Sequence, residues 1–495
     1  MITFEGISSN SRASGVFVEE KNVQRSFGNL VAPQVILILG QYNSGKSPTN
    51  NIPVRIYNKE ESWDKYGRGS ILSRLSEKVF IGNRGQTEVW ACPLADDASG
   101  VLATAEVAIS GTASATGVLS ITVGDRIISI AVASGATATT VATALSAAIN
   151  ANLDCMFTAT SSTGDVTLTC RHKGLFGNDY QVFLNPRSTD STPAGLTISV
   201  TQSASGATNP LIATALGNMG DRFYTVIVSP YNDATNLGSL NTVGLARIAP
   251  SVKRPFISFV GLNKNKADYI TALGSLNSQF ICTIPTFETL YTPSFELAGE
   301  IAGNFARIQL ATPNRPVKEI AMSGVSCKEN FVNFTYSEKN DIVLAGGSTF
   351  KISPENQLII GDLVTTRTTN ASGGLEEDWR FAETLANLQT KIYSLDQLFN
   401  GSKYLQAIVV DDDSITNLSY VVRPKSVKQD IIKLIDELWI PLALSKQRND
   451  IVDNLVTEIN SANPTRIDCF IPDILAAGLR IVAVRYEWSY SGGNN

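Results

Sequence analysis

A chain of 495 residues is too long for one hydrophobic core and predicts roughly two to four domains. Only 17% of the residues are charged, against roughly 25% in ordinary soluble domains. Much of the surface must therefore be Ser, Thr, Asn, Gly and Ala, which suits packing against copies of itself. The net charge of −5, with basic residues scattered among acids, excludes a nucleic-acid footprint. No apolar run approaches the roughly 18 residues of a membrane span, so no membrane insertion is expected.

The six cysteines, Cys92, Cys155, Cys170, Cys282, Cys327 and Cys469, form no C-x-x-C pair, and His172 is the single histidine. Zinc, haem and iron–sulfur ligation have no support, and no metal or cofactor is expected. The cysteines read as small buried hydrophobes in a reducing compartment. One histidine is poor material for a triad or a general base. Its place between Arg171 and Lys173, before a glycine, reads as a loop or strand end. The start Met-Ile-Thr-Phe-Glu-Gly lacks a signal-peptide pattern, so the chain is expected to be made in, and stay soluble in, a cytoplasm.

Residues 1–30 show no helical period but carry extended apolar patches, Ile2-Thr3-Phe4 and Gly15-Val16-Phe17-Val18. They read as an extended arm. Pro33 to Gly40 is an apolar run of strand length, as in a strand buried on both faces. Helical spacing over 60–81 and a strand at Thr87–Leu94 follow, which opens an α/β layer. The composition then shifts to Ala, Ser, Thr and Gly. Short strands at Val118–Val123, Arg126–Val132, Val166–Thr169, Tyr180–Leu184 and Leu196–Thr201 surround one helix at 139–151. This predicts a β-rich inserted domain over 97–208, with polar linkers at both ends.

Alternation resumes with strand Phe223–Ser229, helix 234–247, strand Phe256–Val260, helix 265–277, strand Gln279–Ile284 and helix 293–311. That pattern implies a mostly parallel sheet with flanking helices. A strand-rich stretch over 341–367 and helices over 376–399 and 426–460 complete the body. The chain thus reads as a multidomain α/β (α+β) protein: a discontinuous core (31–96 and 209–464), the insert, and terminal arms at 1–30 and 465–495. In the last arm Val482, Val484, Tyr486, Trp488 and Tyr490 share one face of a period-2 strand. A soluble monomer rarely leaves such a strand beside an unstructured end, whereas a protein that donates strands to neighbours needs one.

One motif looks like chemistry. Gly40-Gln41-Tyr42-Asn43-Ser44-Gly45-Lys46-Ser47 fits G-x-x-x-x-G-K-[ST] after a buried strand. In a P-loop Lys46 would reach phosphates and Ser47 would hold Mg²⁺, with Asp411 after Ala407-Ile408-Val409-Val410 as the partner acid. The context fails, because Pro48-Thr49-Asn50-Asn51-Ile52-Pro53 cannot supply the helix whose amides bind the phosphates. The acidic runs Glu376-Glu377-Asp378 and Asp411-Asp412-Asp413 lack calcium-loop spacing and read as solvated faces or helix starts. No catalytic residue is expected; the competing reading is a nucleotide-binding enzyme using Lys46, Ser47 and Asp411.

Several stretches resemble the tail sheath proteins of contractile-tailed phages, in particular the Mu-like family. Ile7-Ser8-Ser9-Asn10-Ser11-Arg12-Ala13-Ser14-Gly15-Val16-Phe17-Val18-Glu19 resembles that family's arm, with Ser8 and Ser14 where prolines are favoured. Asp221-Arg222-Phe223-Tyr224 to Pro230-Tyr231-Asn232-Asp233 is similar to its strand and P-Y-x-D turn. Ala345-Gly346-Gly347-Ser348-Thr349-Phe350 with Leu363-Val364-Thr365-Thr366-Arg367-Thr368, and Arg466-Ile467-Asp468-Cys469 to Gly478-Leu479-Arg480-Ile481, resemble two later motifs, the last with Ala477 at a usual asparagine. The stretch 98–200, with its Ala-Thr-rich helix and Arg171-His172-Lys173-Gly174, resembles the Mu-like sheath insertion.

The resemblance implies a virion protein that stacks as six-fold rings around a tail tube, with baseplate and tail terminator proteins as further partners. The sheath of a contractile bacteriocin or injection system has the same architecture and stays open. The implied linking residues are Val16, Phe17 and Val18 in one arm and Ile481, Val482, Val484, Tyr486 and Trp488 in the other. Hinges are expected near Ser26–Pro33 and Asn460–Thr465. A helix over 426–448 carrying Lys425, Lys428, Lys433, Lys446 and Arg448 is a candidate tube-facing surface, or else a solvated amphipathic helix.

Overall fold

The computed structural model describes residues 30–489 except 289, 329–330, 417 and 419. The expected N-terminal linking residues Val16, Phe17 and Val18, and Tyr490, lie outside the described residues. The first strand, β1 (Val35–Gln41), is buried along its whole length, as an apolar run of this kind requires. After β2 (Val54–Ile56) the expected helix over 60–81 is two helices, α1 (Lys59–Tyr66) and α2 (Ile71–Asn83). Gly67 and Gly69 adopt φ of 87° and 74°, which stops α1, and the Ser70 side chain accepts from the Ser73 amide to start α2. Strand β3 (Glu88–Leu94) follows.

Residues 97–208 hold the five short strands read from sequence and two that were not expected, the first and fourth of the seven. These are β4 (Leu102–Gly111), β5 (Gly117–Val123), β6 (Arg126–Val132), β7 (Phe157–Ser162), β8 (Asp165–Lys173), β9 (Val182–Leu184) and β10 (Leu196–Ala204). They pair as two antiparallel sheets, ordered β10-β4-β8-β7 and β6-β5-β9. Helix α3 (Ala138–Ala151), capped by Thr137, lays Val141, Leu145 and Ile149 inward against β7 and β6. In β6 burial alternates residue by residue, the mark of a sheet covered on one face.

The body resumes with α4 (Ala213–Gly217), β11 (Val226–Ser229), α5 (Ala234–Ile248), β12 (Ile257–Leu262), α6 (Lys266–Leu273), β13 (Ile281–Pro285) and α7 (Ser294–Ala311). Five parallel strands run in the order β13-β12-β11-β1-β3, with β2 antiparallel at the edge. The fold is mixed α/β, with a doubly wound sheet whose strand order reverses between β1 and β11. Helices α2 and α7 touch backbone to backbone. A Cβ on Gly82 would meet the Glu300 carbonyl at 2.2 Å, and one on Gly303 the Val79 carbonyl at 2.5 Å.

The C-terminal half departs most from expectation. The start of the strand-rich stretch is helix α8 (Tyr336–Leu344), opened by a Thr335/Glu338 capping box; only β14 (Phe350–Ile352) and β15 (Leu358–Ile360) form there. The helix expected from 376 begins at Ala382, as α9 (Ala382–Phe399), because Trp379 and Arg380 are held by Thr365. After α10 (Ser402–Leu405), strands β16 (Ile408–Val409) and β17 (Val421–Val422) form a separate parallel pair. The helix expected over 426–460 ends early. It is α11 (Pro424–Leu434) and a π-turn, Ile435–Trp439, followed by turn, since Pro441 cannot continue a helix. Helix α12 (Arg448–Asn454) and the hairpin β18 (Val456–Ile459) and β19 (Ile467–Phe470) come after it.

Candidate assembly surface

In a doubly wound sheet a ligand would enter where the strand order reverses, beyond the carboxyl ends of β1 and β11. Here that crevice is filled from within. The buried Gln41 side chain, at the end of β1, donates to Asp96 Oδ1 (2.6 Å) and to the Lys173 carbonyl (2.8 Å), and accepts from the Tyr231 hydroxyl (3.2 Å). His172 is buried one residue before the end of β8, with Nδ1 3.5 Å from Asp96 Oδ1. Burial pushes the Asp96 carboxyl up. His172, Gln41 and the Lys173 amide outweigh that and hold it below its ordinary value.

The motif residues bear no phosphate site. Gly40 ends within β1, Ser44 and Gly45 form a turn, and the Lys46 ammonium donates to the Asp64 carbonyl at 2.7 Å. Ser47 lies in a loop, and the first helix begins only at Lys59. Asp411 follows β16, in a different sheet from β1. Lys46 and Ser47 thus share one loop, while Asp411, the third residue of the nucleotide reading, sits on an unrelated element.

A groove of about 560 Å³ opens beside the ends of β11 and β12, between Asn178, Asp179, Asn232 and Lys264. Burial pushes the Asp179 carboxyl up to about 7, against the opposing pull of the Ser294 hydroxyl, which donates to it, and of Lys264. Unfolding returns this carboxyl to an ordinary value of about 4. The folded protein therefore binds more protons between those values, and this group's contribution to stability falls as pH rises from about 4 to about 7. Asp179→Asn is expected to flatten that slope and to raise the urea midpoint at about pH 8; an unchanged slope refutes the assignment.

The far end of the chain is pinned up to Arg480 and exposed after it. Along 473–480 the backbone is tied by Lys446 N to the Ile474 carbonyl (2.8 Å), Ala476 N to the Leu444 carbonyl (3.1 Å) and Asn314 Nδ2 to the Ala476 carbonyl (2.7 Å). Buried Lys391 pairs with Asp473 and donates to Ser445 Oγ. Arg480 reaches Asp362 Oδ1 at 2.7 Å and pairs with buried Glu383, its guanidinium 4.1 Å from the Phe381 ring centre. Beyond Arg480 no helix or strand is assigned among the described residues, and residues 481–489 are all exposed. Ile481, Val482, Val484, Tyr486 and Trp488 are 64–81% exposed.

This revises the expected hinge. Residues 460–465 form the turn of the β18–β19 hairpin, closed by Asn460 N to the Arg466 carbonyl (2.9 Å) and Asn460 Nδ2 to Asp468 Oδ2 (2.6 Å). The segment expected to leave the body at 465 stays attached until Arg480. The anchors at Arg480 and Asp473 escaped the sequence reading, although Arg480 stands inside one of the quoted C-terminal motifs. Next to the hairpin, a groove of about 380 Å³ is lined by Phe399, Tyr404, Val409, Val422, Val427 and Ile467. Among the described residues neither hairpin strand has a second strand partner.

No protein-family model matches the chain. The Mu-like prophage FluMu tail sheath protein of Haemophilus influenzae is 26% identical over 482 residues, which is 97% of this chain and 98% of that protein. The chain is thus similar, over nearly its whole length, to a Mu-like tail sheath protein. The fold agrees: the sheath tail protein of Desulfitobacterium hafniense aligns over 94% of this chain and 98% of its own, with a TM-score of 0.50 at 12% identity. The sheath tail protein Lin1278 of Listeria innocua aligns over 90% and 96%, with a TM-score of 0.45 at 12% identity.

The lysine-bearing helix differs from the expected one. Along α11, Lys425 and Lys433 are exposed and Lys428 half-buried, while Val427, Ile431 and Leu434 face inward. Lys446 and Arg448 are not on this helix. Lys446 follows the turn after Trp439, and Arg448 opens α12 and holds Asp436 (Nη2 to Oδ2, 2.8 Å). The break follows from Pro441 and from Trp439, which is buried and donates to Ser394 Oγ at 3.1 Å.

Proposed function

We propose that this chain is the structural subunit of a contractile phage tail sheath in the virion. Copies stack as six-fold rings around a tail tube, between a baseplate and a tail terminator. The observation that carries this reading is the C-terminal segment 481–489, which follows the Arg480 anchor and exposes Val482, Val484, Tyr486 and Trp488, the alternate residues of a period-2 pattern. An extended segment of that kind adds to a neighbour's sheet edge, where main-chain hydrogen bonds give affinity and alternate side chains fill pockets. The unpaired edge of the β18–β19 hairpin, with its apolar groove, is the receiving surface in the neighbour. The N-terminal arm, with Val16, Phe17 and Val18, links copies in the same way.

The chain works without catalysis. The crevice that would hold a ligand is filled by Gln41, Asp96, His172 and Tyr231, and Lys46 is engaged with a main-chain carbonyl. Contraction is the release of a metastable extended array behind a kinetic barrier, triggered at the baseplate, by rigid-body rotation of subunits about their arms. The C-terminal hinge is the Arg480–Ile481 junction; the N-terminal one falls near Ser26–Pro33.

Negative-stain electron microscopy of the purified chain tests the reading. Long striated tubes of uniform width are expected as concentration rises; small discrete particles at every concentration refute intrinsic assembly. The tube-facing surface is α11 with Lys425, Lys428 and Lys433, flanked by Lys446 and Arg448. Reversing Lys428 and Lys433 to Glu is expected to weaken tube binding on the order of tenfold at low salt with an unchanged thermal midpoint, since partly exposed charges act through screened attraction. Equal affinity in co-sedimentation removes this face from the interface.

A further inference from the structure

We propose that the 97–208 segment and the sheet-and-helix body form one rigid, jointly unfolding unit, so that the polar linkers between them are not hinges. The inference concerns the isolated chain and stands whether or not the sheath reading does.

Three separate contacts carry it. The first is a cluster of charges at the tip of the β5–β6 hairpin. Gly124, at φ 59°, makes the turn that aims Asp125 into the body. Arg74 of α2 meets Asp125 Oδ1 (2.6 Å), Glu296 Oε2 of α7 (2.6 Å) and Glu77 Oε2 (3.0 Å). Lys78 meets Asp125 Oδ2 (2.7 Å), Arg126 meets Glu77 Oε2 (3.0 Å), and the Tyr180 hydroxyl donates to Glu296 Oε1 (2.8 Å). Arg74, Lys78 and Arg126 balance Glu77, Asp125 and Glu296, so the cluster is neutral. The side chains of Arg74, Lys78, Asp125 and Glu296 are at most 7% exposed.

A buried neutral cluster of this kind gives little net stability over an apolar contact, because desolvation offsets attraction. It is selective, however. Any shift of the hairpin leaves several charges buried without partners, so only one placement of the segment on the body is tolerated. The second contact lies elsewhere: Arg68, between α1 and α2, binds Asp154 through Nε to Oδ1 (2.9 Å), and Gly69 packs against the Leu153 and Cys155 carbonyls. The third is the filled crevice, where Gln41 and Asp96 of the body hold His172 and Lys173.

The linkers themselves are tied to each other. Val101 N donates to the Ala207 carbonyl (2.9 Å), and Ala207 N returns the bond (3.3 Å). Asn178 holds Gly206 through both its amide and its carbonyl (2.9 and 2.8 Å). A swinging linker cannot keep such a ladder. In an assembly, the segment therefore turns with the body as one lever.

Calorimetry of the full chain together with limited proteolysis tests this. The wild type is expected to unfold in one cooperative transition and to resist cutting at 97–100 and 205–208. Asp125→Asn is expected to lower the transition and to speed linker cutting on the order of tenfold, releasing a protected fragment. If Asp125→Asn does not fold, Arg126→Gln on the half-exposed rim is read instead and is expected to change cutting in the same direction. Two resolved transitions in the wild type, or linker cutting that is already fast and insensitive to these substitutions, overturns the proposal.

Discussion

Deleting residues 481–495 is expected to abolish tube formation while leaving a folded, soluble chain. Every residue from 481 to 489 is exposed, and the anchors at Asp473 and Arg480 remain in the truncated protein. Even single surface substitutions away from caps, cores and buried charges usually change stability by less than about 0.5 kcal/mol, and the deletion leaves every anchor in place. Association is different. One added strand brings about four to six main-chain hydrogen bonds at about 1 kcal/mol net each. Burial of Trp488 or Tyr486 adds roughly 1.5–3 kcal/mol. Since each 1.4 kcal/mol is tenfold in affinity, losing the arm weakens each link by several orders of magnitude, and a lattice that repeats the link amplifies the loss. Trp488→Ala alone is expected to raise the concentration at which tubes appear by roughly tenfold or more. Sedimentation velocity and microscopy read both variants. Tubes from the truncated chain at the wild-type concentration would refute the arm as the link.

Arg74→Ala is expected to destabilise the protein by about 3–5 kcal/mol, the cost of leaving buried opposite charges without their partner. Glu296 is fully buried and Asp125 nearly so, and both lean on this guanidinium. Burial alone would raise the Asp125 carboxyl. Arg74 and Lys78 overcome that and hold it far below its ordinary value. A depressed folded-state carboxylate contributes stability above its ordinary value near 4, and that contribution is lost as pH falls through the folded value. Arg74→Ala should therefore lower the urea midpoint most near neutral pH and less in acid. Replacing Arg74 and Glu296 together by Met and Leu should recover much of the loss, because the desolvation cost leaves with the charges. Equal losses at both pH values would show that the cluster is solvated rather than buried.

Much of the sheet was legible because its signals are local. The run Val35–Leu39 is apolar throughout, of strand length, and reads as a strand covered on both faces. Asp233 before an apolar-periodic stretch starts α5 where a cap should. The alternation in Arg126–Val132 and the four-residue stripe of Val141, Leu145 and Ile149 need no partner to be read. The failed phosphate loop was equally local, since Pro48 and Pro53 deny it a helix. Two errors were also locally avoidable. Pro441 marks the end of the α11 region, and Thr335 with Glu338 is a helix start; helical periodicity and β-propensity in the same stretches point the other way.

The anchors and locks are of another kind. Arg480 finds Asp362 and Glu383 across 118 and 97 residues, and Arg74 finds Asp125 and Glu296 across 51 and 222. No spacing rule links such partners, because they meet only after the sheet has set α2 beside α7 and the hairpin tip above both. The tail has its period-2 pattern written in Val482, Val484, Tyr486 and Trp488. The point at which it leaves the body is set by which distant carboxylates enclose Arg480, and that depends on how the whole chain packs.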